Sequence, residues 1–354
     1  MSDHVSLKDK FYGCIAGTHV GSSMGAAVEG WPYEKIEKEY GTLNRLLPYQ
    51  HYKNGWVREP GTTEDGIERQ KMMISAIIEK KDRINAEDLR KAWIKYMNPE
   101  APGKVAEPFD GVLLQMAKSG VPAVDIGRFC DYACLCSLAR SSHPIALINA
   151  GDIEGAINDI YEVGQIYQTT NSSGIKWAAI NAIGLAAAFK PNATVDSVIA
   201  AIYEYGDQKV VAEIDRALKL SADCKDFREL RKVFDPIYSG IGMPYCISFA
   251  NEVVTKAVCV FRMVKGNLYD ALVASVNMGR DTDCCAAVAC GLAGALTGAS
   301  LPEELIQQVD RATNLNPYTN SQRTISEHAD GLYDAYVTRI TKIKSYIKQM
   351  EVLV

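Results

Sequence analysis

Several features that would assign a chain to a familiar class are missing from this sequence. It contains no stretch of about 18 uninterrupted apolar residues, the length that a membrane-spanning helix needs. Its N-terminal segment has no cationic part followed by an apolar run, as a signal peptide would. The net charge is −5, so no basic excess attracts nucleic acid or an anionic membrane. We therefore expect a soluble, cytoplasmic protein that binds neither nucleic acid nor a membrane.

Common metal-binding and nucleotide-binding motifs are also missing. None of the five histidines lies in an H-E-x-x-H spacing, and the chain has neither a P-loop nor a G-x-S-x-G turn. The cysteines mostly lie inside apolar runs, which is typical of small core residues in a reduced protein. Cys130, Cys134 and Cys136 lack the paired spacing of zinc ligands, so we interpret them as core residues too.

What the sequence does contain is helical periodicity. Alternating apolar and polar residues, the pattern of a strand, are almost absent, and the segment Gly41–Pro60 is the longest one without a helical period. Apolar residues recur every three to four positions in Phe11–Val28, Ile67–Ile78, Ala86–Tyr96, Val112–Ala117, Ile153–Tyr167, Ile175–Phe189, Val195–Tyr203, Val210–Leu220, Ile247–Val264, Leu268–Val276, Ala286–Leu296, Pro302–Ala312 and Ile325–Ile347. No linker rich in Pro, Gly or Ser divides the chain. We predict an all-α fold in which residues 1–354 form a single compact domain of many helices.

Glycines form stripes on two of the predicted helices. Four glycines recur every fourth residue from Gly13 to Gly25, and three more lie between Gly291 and Gly298. Glycine inside a helix costs about 0.5–1 kcal/mol relative to alanine, so such stripes indicate close approach of another backbone or of a ligand. Tight packing of one helix on another explains them equally well.

Two short segments place carboxylates directly before a predicted helix. The first contains Thr63, Glu64 and Asp65, and the second contains Asp281 and Asp283. Helix capping explains one Asp or Thr in such a position, because these residues are favoured at helix N-termini. Capping does not require several oxygen-bearing residues in succession, and both segments are flanked by glycine.

If the two segments meet, their side chains form a shell of oxygen ligands. Hard cations such as Mg²⁺ or Mn²⁺ prefer such a shell. Clustered carboxylates would otherwise repel one another or bind protons. Glu29 follows the first glycine-rich helix, where a carboxylate needs a partner or a role, although an exposed glutamate at a helix end remains an equal alternative.

These elements, in this order, resemble the ADP-ribosylglycohydrolase family, which includes the dinitrogenase reductase-activating glycohydrolase. Gly21–Glu29 resembles the family's G-D-A-L-G-x-P-x-E pattern, and Thr63–Gly66 stands in the place of its T-D-D-T motif. Gly279–Gly298 matches the family's G-x-D-x-D-T motif and the G-x2-G-A-x2-G helix that follows it. The resemblance covers nearly the whole chain.

The resemblance implies an all-α ADP-ribosylglycohydrolase-like fold and a metal-dependent hydrolase. This enzyme would cleave an N- or O-glycosidic bond at the anomeric carbon of ribose. Its substrate would be a ribosyl or ADP-ribosyl small molecule or an ADP-ribosylated protein. Two Mg²⁺ or Mn²⁺ ions are implied, with ligands at Thr63, Glu64, Asp65, Asp281 and Asp283. Catalytic roles are implied for Glu29 and Asp65, and substrate contacts for Glu29, Gly279 and Arg280.

The chain departs from the family's pattern in ways that leave alternatives open. Glu64, Gly66 and Cys284 replace an Asp, a Thr and a Thr, so one ion is expected to be weakly bound or absent. The stretch Cys136–Pro144 lacks the family's G-N-G loop, which would contact the pyrophosphate of ADP-ribose. A smaller nucleoside-like substrate and a ribosyl-binding protein without turnover therefore remain alternatives, while a purely structural protein has no positive signal.

Overall fold

The protein is described by a computed structural model that covers residues 5–51, 54–130, 133–238 and 248–353. Within these residues the α-helices are α1 (Leu7–Gly25), α2 (Tyr33–Tyr40), α3 (Asp65–Lys80), α4 (Ala86–Tyr96), α5 (Pro108–Lys118), α6 (Ser137–Ser141), α7 (His143–Ile148), α8 (Ile153–Val163), α9 (Ser173–Ala188), α10 (Val195–Tyr205), α11 (Gln208–Leu220), α12 (Phe227–Tyr238), α13 (Ala250–Met263), α14 (Leu268–Val276), α15 (Thr282–Thr297), α16 (Glu303–Ala312) and α17 (Ile325–Met350). Short 3-10 helices span Ala26–Val28, Ala123–Phe129 and Gly164–Ile166. Strand β1 (Tyr49–Gln50) pairs antiparallel with β2 (Val57–Arg58).

The predicted all-α fold class is confirmed, and every predicted helical segment contains a helix. The prediction for α4 and α14 agrees with the structure at both ends, whereas Ile247 of the predicted segment before α13 lies outside the described residues. The helical periodicity of the sequence does not indicate α2, α6, α7 and α12. Two of these helices have only five and six residues, too few to show a period, and α2 buries only Ile36. The extent of the domain remains a prediction.

Three helices are buried on almost every face and form the centre of the protein. They are α1, α9 and α15, whose hydrophobic residues alternate with small ones around the whole helix. Surrounding helices such as α11 and α16 bury one apolar face and expose a charged one. No helix in the described part of the chain is both long and apolar enough to cross a bilayer.

The glycine stripes are explained by the contact between α1 and α15. A methyl group at Gly17 would lie 2.5 Å from the carbonyl oxygen of Cys290, and one at Gly21 would lie 2.9 Å from that of Ala286. One at Gly25 would lie 2.6 Å from the backbone nitrogen of Asp283. The backbones of the two helices therefore touch, and the contact continues to Asp283 in the first turn of α15.

The first prediction concerns this contact. Gly17→Ala would force the two backbones apart, and we expect a loss of roughly 1–3 kcal/mol in the free energy of unfolding, as for overpacked cores. Gly111→Ala in α5 is the matched control, because its methyl group would meet only the Pro102 ring, at 3.1 Å. Urea unfolding followed by circular dichroism measures both variants. Equal stabilities of the two variants would contradict the prediction.

Candidate active site

The structure brings the three sequence motifs together at one place. Glu29 follows the 3-10 turn at the end of α1, Glu64 and Asp65 lie at the start of α3, and Asp281 and Asp283 lie at the start of α15. Glu64, Asp65, Asp281 and Asp283 are each only 1–2% exposed. The Glu29 side chain, at 16%, is the most exposed of the five carboxylates. We call these five residues the carboxylate cluster.

Two residues of the carboxylate cluster cap helices, and the others do not. Glu64 is the N-cap of α3, and its carboxylate accepts hydrogen bonds from the backbone N–H groups of Asp65 and Gly66. Asp281 is the N-cap of α15, and its carboxylate accepts a 3.3 Å hydrogen bond from the backbone N–H of Cys284. Asp65 and Asp283 lie inside the first turns instead. Helix capping therefore does not explain why Asp65 and Asp283 are buried beside other carboxylates.

Glu29, Asp281 and Asp283 form the more open half of the carboxylate cluster. One oxygen from each of them lies within 4.8 Å of the other two. Asp283 Oδ1 is buried and has no hydrogen-bond partner among the described residues. His51 Nδ1 lies 3.3 Å from Glu29 Oε2 on the outer side. Three carboxylates with a buried oxygen lacking a partner provide the kind of oxygen ligands that a hard divalent cation prefers.

Arg140, on α6, occupies the other half of the carboxylate cluster. Its Nη1 lies 3.0 Å from Glu64 Oε2 and 3.5 Å from Asp283 Oδ2, and its Nη2 lies 2.9 Å from Asp65 Oδ1. The arginine side chain is only 9% exposed. The guanidinium group thus lies directly between the carboxylates at the start of α3 and Asp283 at the start of α15.

Asp65 has a second cationic partner. Arg69 Nη2 is 2.8 Å from Asp65 Oδ2 and also 2.8 Å from Asp110 Oδ2. Tyr318 donates a further hydrogen bond of 2.8 Å to Asp110. Both oxygens of Asp65 are therefore paired with arginine, and this buried network fixes its carboxylate in place.

Charge is distributed unevenly across the carboxylate cluster. Burial, reinforced by neighbouring carboxylates, raises the pKa of Glu29 and of Glu64 well above the usual range and raises that of Asp283 to about 7. Burial acts in the same direction on Asp65, but Arg140 and Arg69 outweigh it and hold the pKa of that carboxyl well below its usual range. Two arginines thus compensate the charge of Asp65, whereas burial and neighbouring carboxylates dominate at Glu29.

Gly66 provides the space for Arg140. A methyl group at Gly66 would lie 2.7 Å from Arg140 Cδ and 2.8 Å from Arg140 Nε. The family's motif has a threonine at this position, and its side chain would collide with the arginine. The departure at Gly66 and the presence of Arg140 are therefore sterically linked.

Thr63 points away from the carboxylate cluster. Its hydroxyl donates a 2.5 Å hydrogen bond to Glu68 and accepts one of 3.1 Å from Lys71. Lys71 also lies 2.8 Å from Glu68 and donates to Gln322 at 2.7 Å. The Thr63 hydroxyl bonds to Glu68 and Lys71 of this buried network, so we leave Thr63 out of the set of ion ligands proposed below.

Gly279 and Arg280, predicted to contact substrate, form the turn before α15. Both have left-handed backbones, with φ of 76° and 66°. A methyl group at Gly279 would lie 2.7 Å from the backbone nitrogen of Tyr33, so glycine allows this turn to approach the segment after Glu29. The Arg280 side chain donates two hydrogen bonds to Glu252, of 2.7 and 2.9 Å. Its contact with substrate remains a prediction.

Two thiols border the carboxylate cluster. Cys136, Asp281 and Cys284 each offer a possible ligand atom within 4.8 Å of the others. Burial raises the pKa of the Cys284 thiol well above its usual range, so the thiol retains its proton and donates to Asp283 at 3.5 Å. A protonated thiol is a poor ligand for a hard cation.

No sequence motif indicated that Arg140, His51 and Cys136 lie at this site. Arg140 is the only charged residue between Cys136 and Asn149, and an isolated charge in an apolar run was the available signal. Nothing in the sequence spacing indicated which carboxylates this arginine would meet.

Comparison with known proteins gives consistent matches. A sequence model of the family described as ADP-ribosylglycohydrolase matches residues 3–340. A protein of Archaeoglobus fulgidus described as uncharacterized is 23% identical over 351 residues, which is 95% of this chain and all of that protein. A solved structure described as an ADP-ribosylglycohydrolase-related protein complex superposes with a TM-score of 0.63 at 13% identity, over 94% of this chain and 98% of that one. The last match shows a shared fold.

The second prediction tests the buried network around Thr63. Lys71→Met would leave the Glu68 carboxylate without its cation, and we expect a loss of about 3–5 kcal/mol in the free energy of unfolding. Adding Glu68→Gln should restore part of this loss, because the double variant buries no unpaired charge. Lys8→Met removes an exposed ion pair with Asp330 and is the control, with little expected change. Denaturant unfolding of the four proteins measures the effect, and a double variant no more stable than Lys71→Met would contradict it.

Proposed function

Because the chain belongs to the ADP-ribosylglycohydrolase family, we propose that it hydrolyses a glycosidic bond at the anomeric carbon of ribose, using a divalent cation bound by Glu29, Asp281 and Asp283. The carboxylate cluster is the observation that carries this proposal. It brings together acidic residues from the ends of three helices, and capping accounts for only two of them.

The donor atoms suit a hard divalent cation. The three ligand oxygens lie within 4.8 Å of one another, and Asp283 Oδ1 has no other partner among the described residues. Carboxylate oxygens favour Mg²⁺ or Mn²⁺ over softer metals. When bound, such an ion neutralises the cluster, holds sugar hydroxyls and lowers the pKa of a water molecule.

Glu29 is the residue of the carboxylate cluster that a substrate reaches. Its side chain is 16% exposed, while the other four residues of the cluster are 1–2% exposed. His51 Nδ1 lies 3.3 Å from one of its oxygens, Oε2. We propose that Glu29 lies beside the scissile bond, where one of its oxygens holds the ion and the other accepts a proton from the attacking water, as carboxyl groups do in glycoside hydrolysis. Asp65, paired with two arginines, fixes the position of the Arg140 guanidinium.

Two substrate classes fit this chemistry. ADP-ribose attached to a protein or a small molecule is the family's class. A smaller nucleoside-like ribosyl compound is the other class, because Cys136–Pro144 lacks the glycine loop and the Arg140 N–H in this stretch donates to the Cys136 carbonyl at 3.0 Å. N–H groups used in this way are not free to bind a pyrophosphate.

A binding protein without turnover is the second candidate function. The observation that favours it is Arg140, which contacts Glu64 and Asp65 where an ion would otherwise lie. Such a protein would bind a ribosyl ligand at the open half of the carboxylate cluster without cleaving it.

The third prediction tests catalysis. We expect the purified protein with Mn²⁺ or Mg²⁺ to release ADP-ribose or ribose from a panel of ADP-ribosylated proteins and nucleosides. Glu29→Gln should lower kcat by about 10²–10⁴, the range for loss of a general acid or base. The control is Glu154→Gln on the exposed face of α8, with activity unchanged. Ligand binding by calorimetry without any product would favour the binding protein, and neither binding nor product would reject both functions.

The fourth prediction tests the ion ligands. Asp283→Asn should weaken Mn²⁺ binding at least about tenfold, the lower end of what loss of a group that supports a metal site costs. Thr63→Val is the matched control, because its hydroxyl bonds to Glu68 and Lys71, and it should lower stability but not Mn²⁺ affinity. Isothermal titration calorimetry measures both. A large loss of affinity in Thr63→Val would return that residue to the ligand set.

A further inference from the structure

We propose that Arg140 is a built-in cation that fills one half of the carboxylate cluster and limits the protein to a single divalent ion. This inference rests on the proposed function for the identity of the ion site, but it concerns the number of ions and not the reaction. Its basis is the position of the guanidinium group between Glu64, Asp65 and Asp283.

The contacts of Arg140 are those of an ion held by several ligands. Its two terminal nitrogens reach three different carboxylates at 2.9–3.5 Å. Its Nε has no hydrogen-bond partner among the described residues, so the carboxylates hold the group by its outer edge. A planar guanidinium matches carboxylates in this way, and its charge is permanent.

The sequence provides space for this cation. The Cβ that Gly66 lacks would lie 2.7 and 2.8 Å from Arg140 Cδ and Nε. Gly66 lies in the first turn of α3, where glycine is a poorer helix former than alanine. A glycine in the first turn of a helix, at the point where the arginine passes, is an observation independent of the charges.

Filling this half has a consequence for ion binding. A divalent ion between Glu64, Asp65 and Asp283 would have to displace the guanidinium or bear repulsion from it at contact distance. The half formed by Glu29, Asp281 and Asp283 remains accessible, since only Asp283 is shared between the two halves. We therefore infer one ion in the natural protein and room for a second only when Arg140 is removed.

The fifth prediction counts the ions. We expect calorimetry to give one Mn²⁺ per chain for the natural protein and two for Arg140→Ala. Electron paramagnetic resonance should show an isolated Mn²⁺ in the former and a spin-coupled pair in the latter. Because Arg140→Ala exposes three buried carboxylates to mutual repulsion, its thermal unfolding temperature should be low without metal and rise more with Mn²⁺ than that of the natural protein.

A second variant and a control make the count decisive. Gly66→Ala keeps Arg140 but pushes its side chain out of the carboxylate cluster, so it should also bind two ions. If Arg140→Ala does not fold at any Mn²⁺ concentration, the count for Gly66→Ala decides alone. Arg83→Ala removes an arginine paired with Asp159 at 2.6 Å outside the carboxylate cluster and should bind one ion.

The outcomes separate this inference from the proposed function. Two ions or none in the natural protein would overturn the role of Arg140, even if the protein is an active hydrolase. So would a count of one ion in Arg140→Ala and Gly66→Ala, or in whichever of these two variants folds. The expected counts in a protein that cleaves no ribosyl compound would instead support the role of Arg140 and reject the proposed reaction.

Discussion

The backbone contact between α1 and α15 is the constraint on which the rest of the structure depends. Glycines at four-residue spacing on α1 let its backbone approach the backbone of α15, so the two central helices touch along most of their length. The contact runs up to Gly25 and Asp283, where α1 ends and α15 begins. Glu29 is placed beside Asp281 and Asp283 because the residues before it are pressed against that turn.

Burial of several carboxylates at one point imposes a second constraint, which concerns charge. Carboxylates removed from water must be protonated, paired with cations or bound to metal. The protein satisfies this requirement differently in the two halves of the carboxylate cluster. Arginine side chains neutralise Asp65, whereas the acidic groups around Asp283 have raised pKa values and leave one oxygen without a partner. The same cluster thus combines a permanently paired half with a half that is open to a ligand.

Neighbouring residues of one sequence motif have different roles in the structure. Thr63 and Glu64 are adjacent, yet the hydroxyl of Thr63 belongs to a network with Lys71, while the carboxylate of Glu64 caps a helix and accepts from Arg140. The difference arises where the chain enters α3, because successive residues at a helix start point in different directions. A motif therefore locates a site without assigning each of its members to the same partner.

Local sequence patterns are enough to predict the all-α class, most of the helices and the three segments that meet at the candidate site. Hydrophobic periodicity, glycine spacing and unusual runs of carboxylates are local properties that can be read along the chain. Only the tertiary structure decided that the glycine stripes are helix contacts, that Arg140 lies between Glu64, Asp65 and Asp283, and that Gly66 makes room for it. Arg140 is far from these carboxylates in sequence, and the pairing of distant residues depends on how helices pack, which no local pattern records.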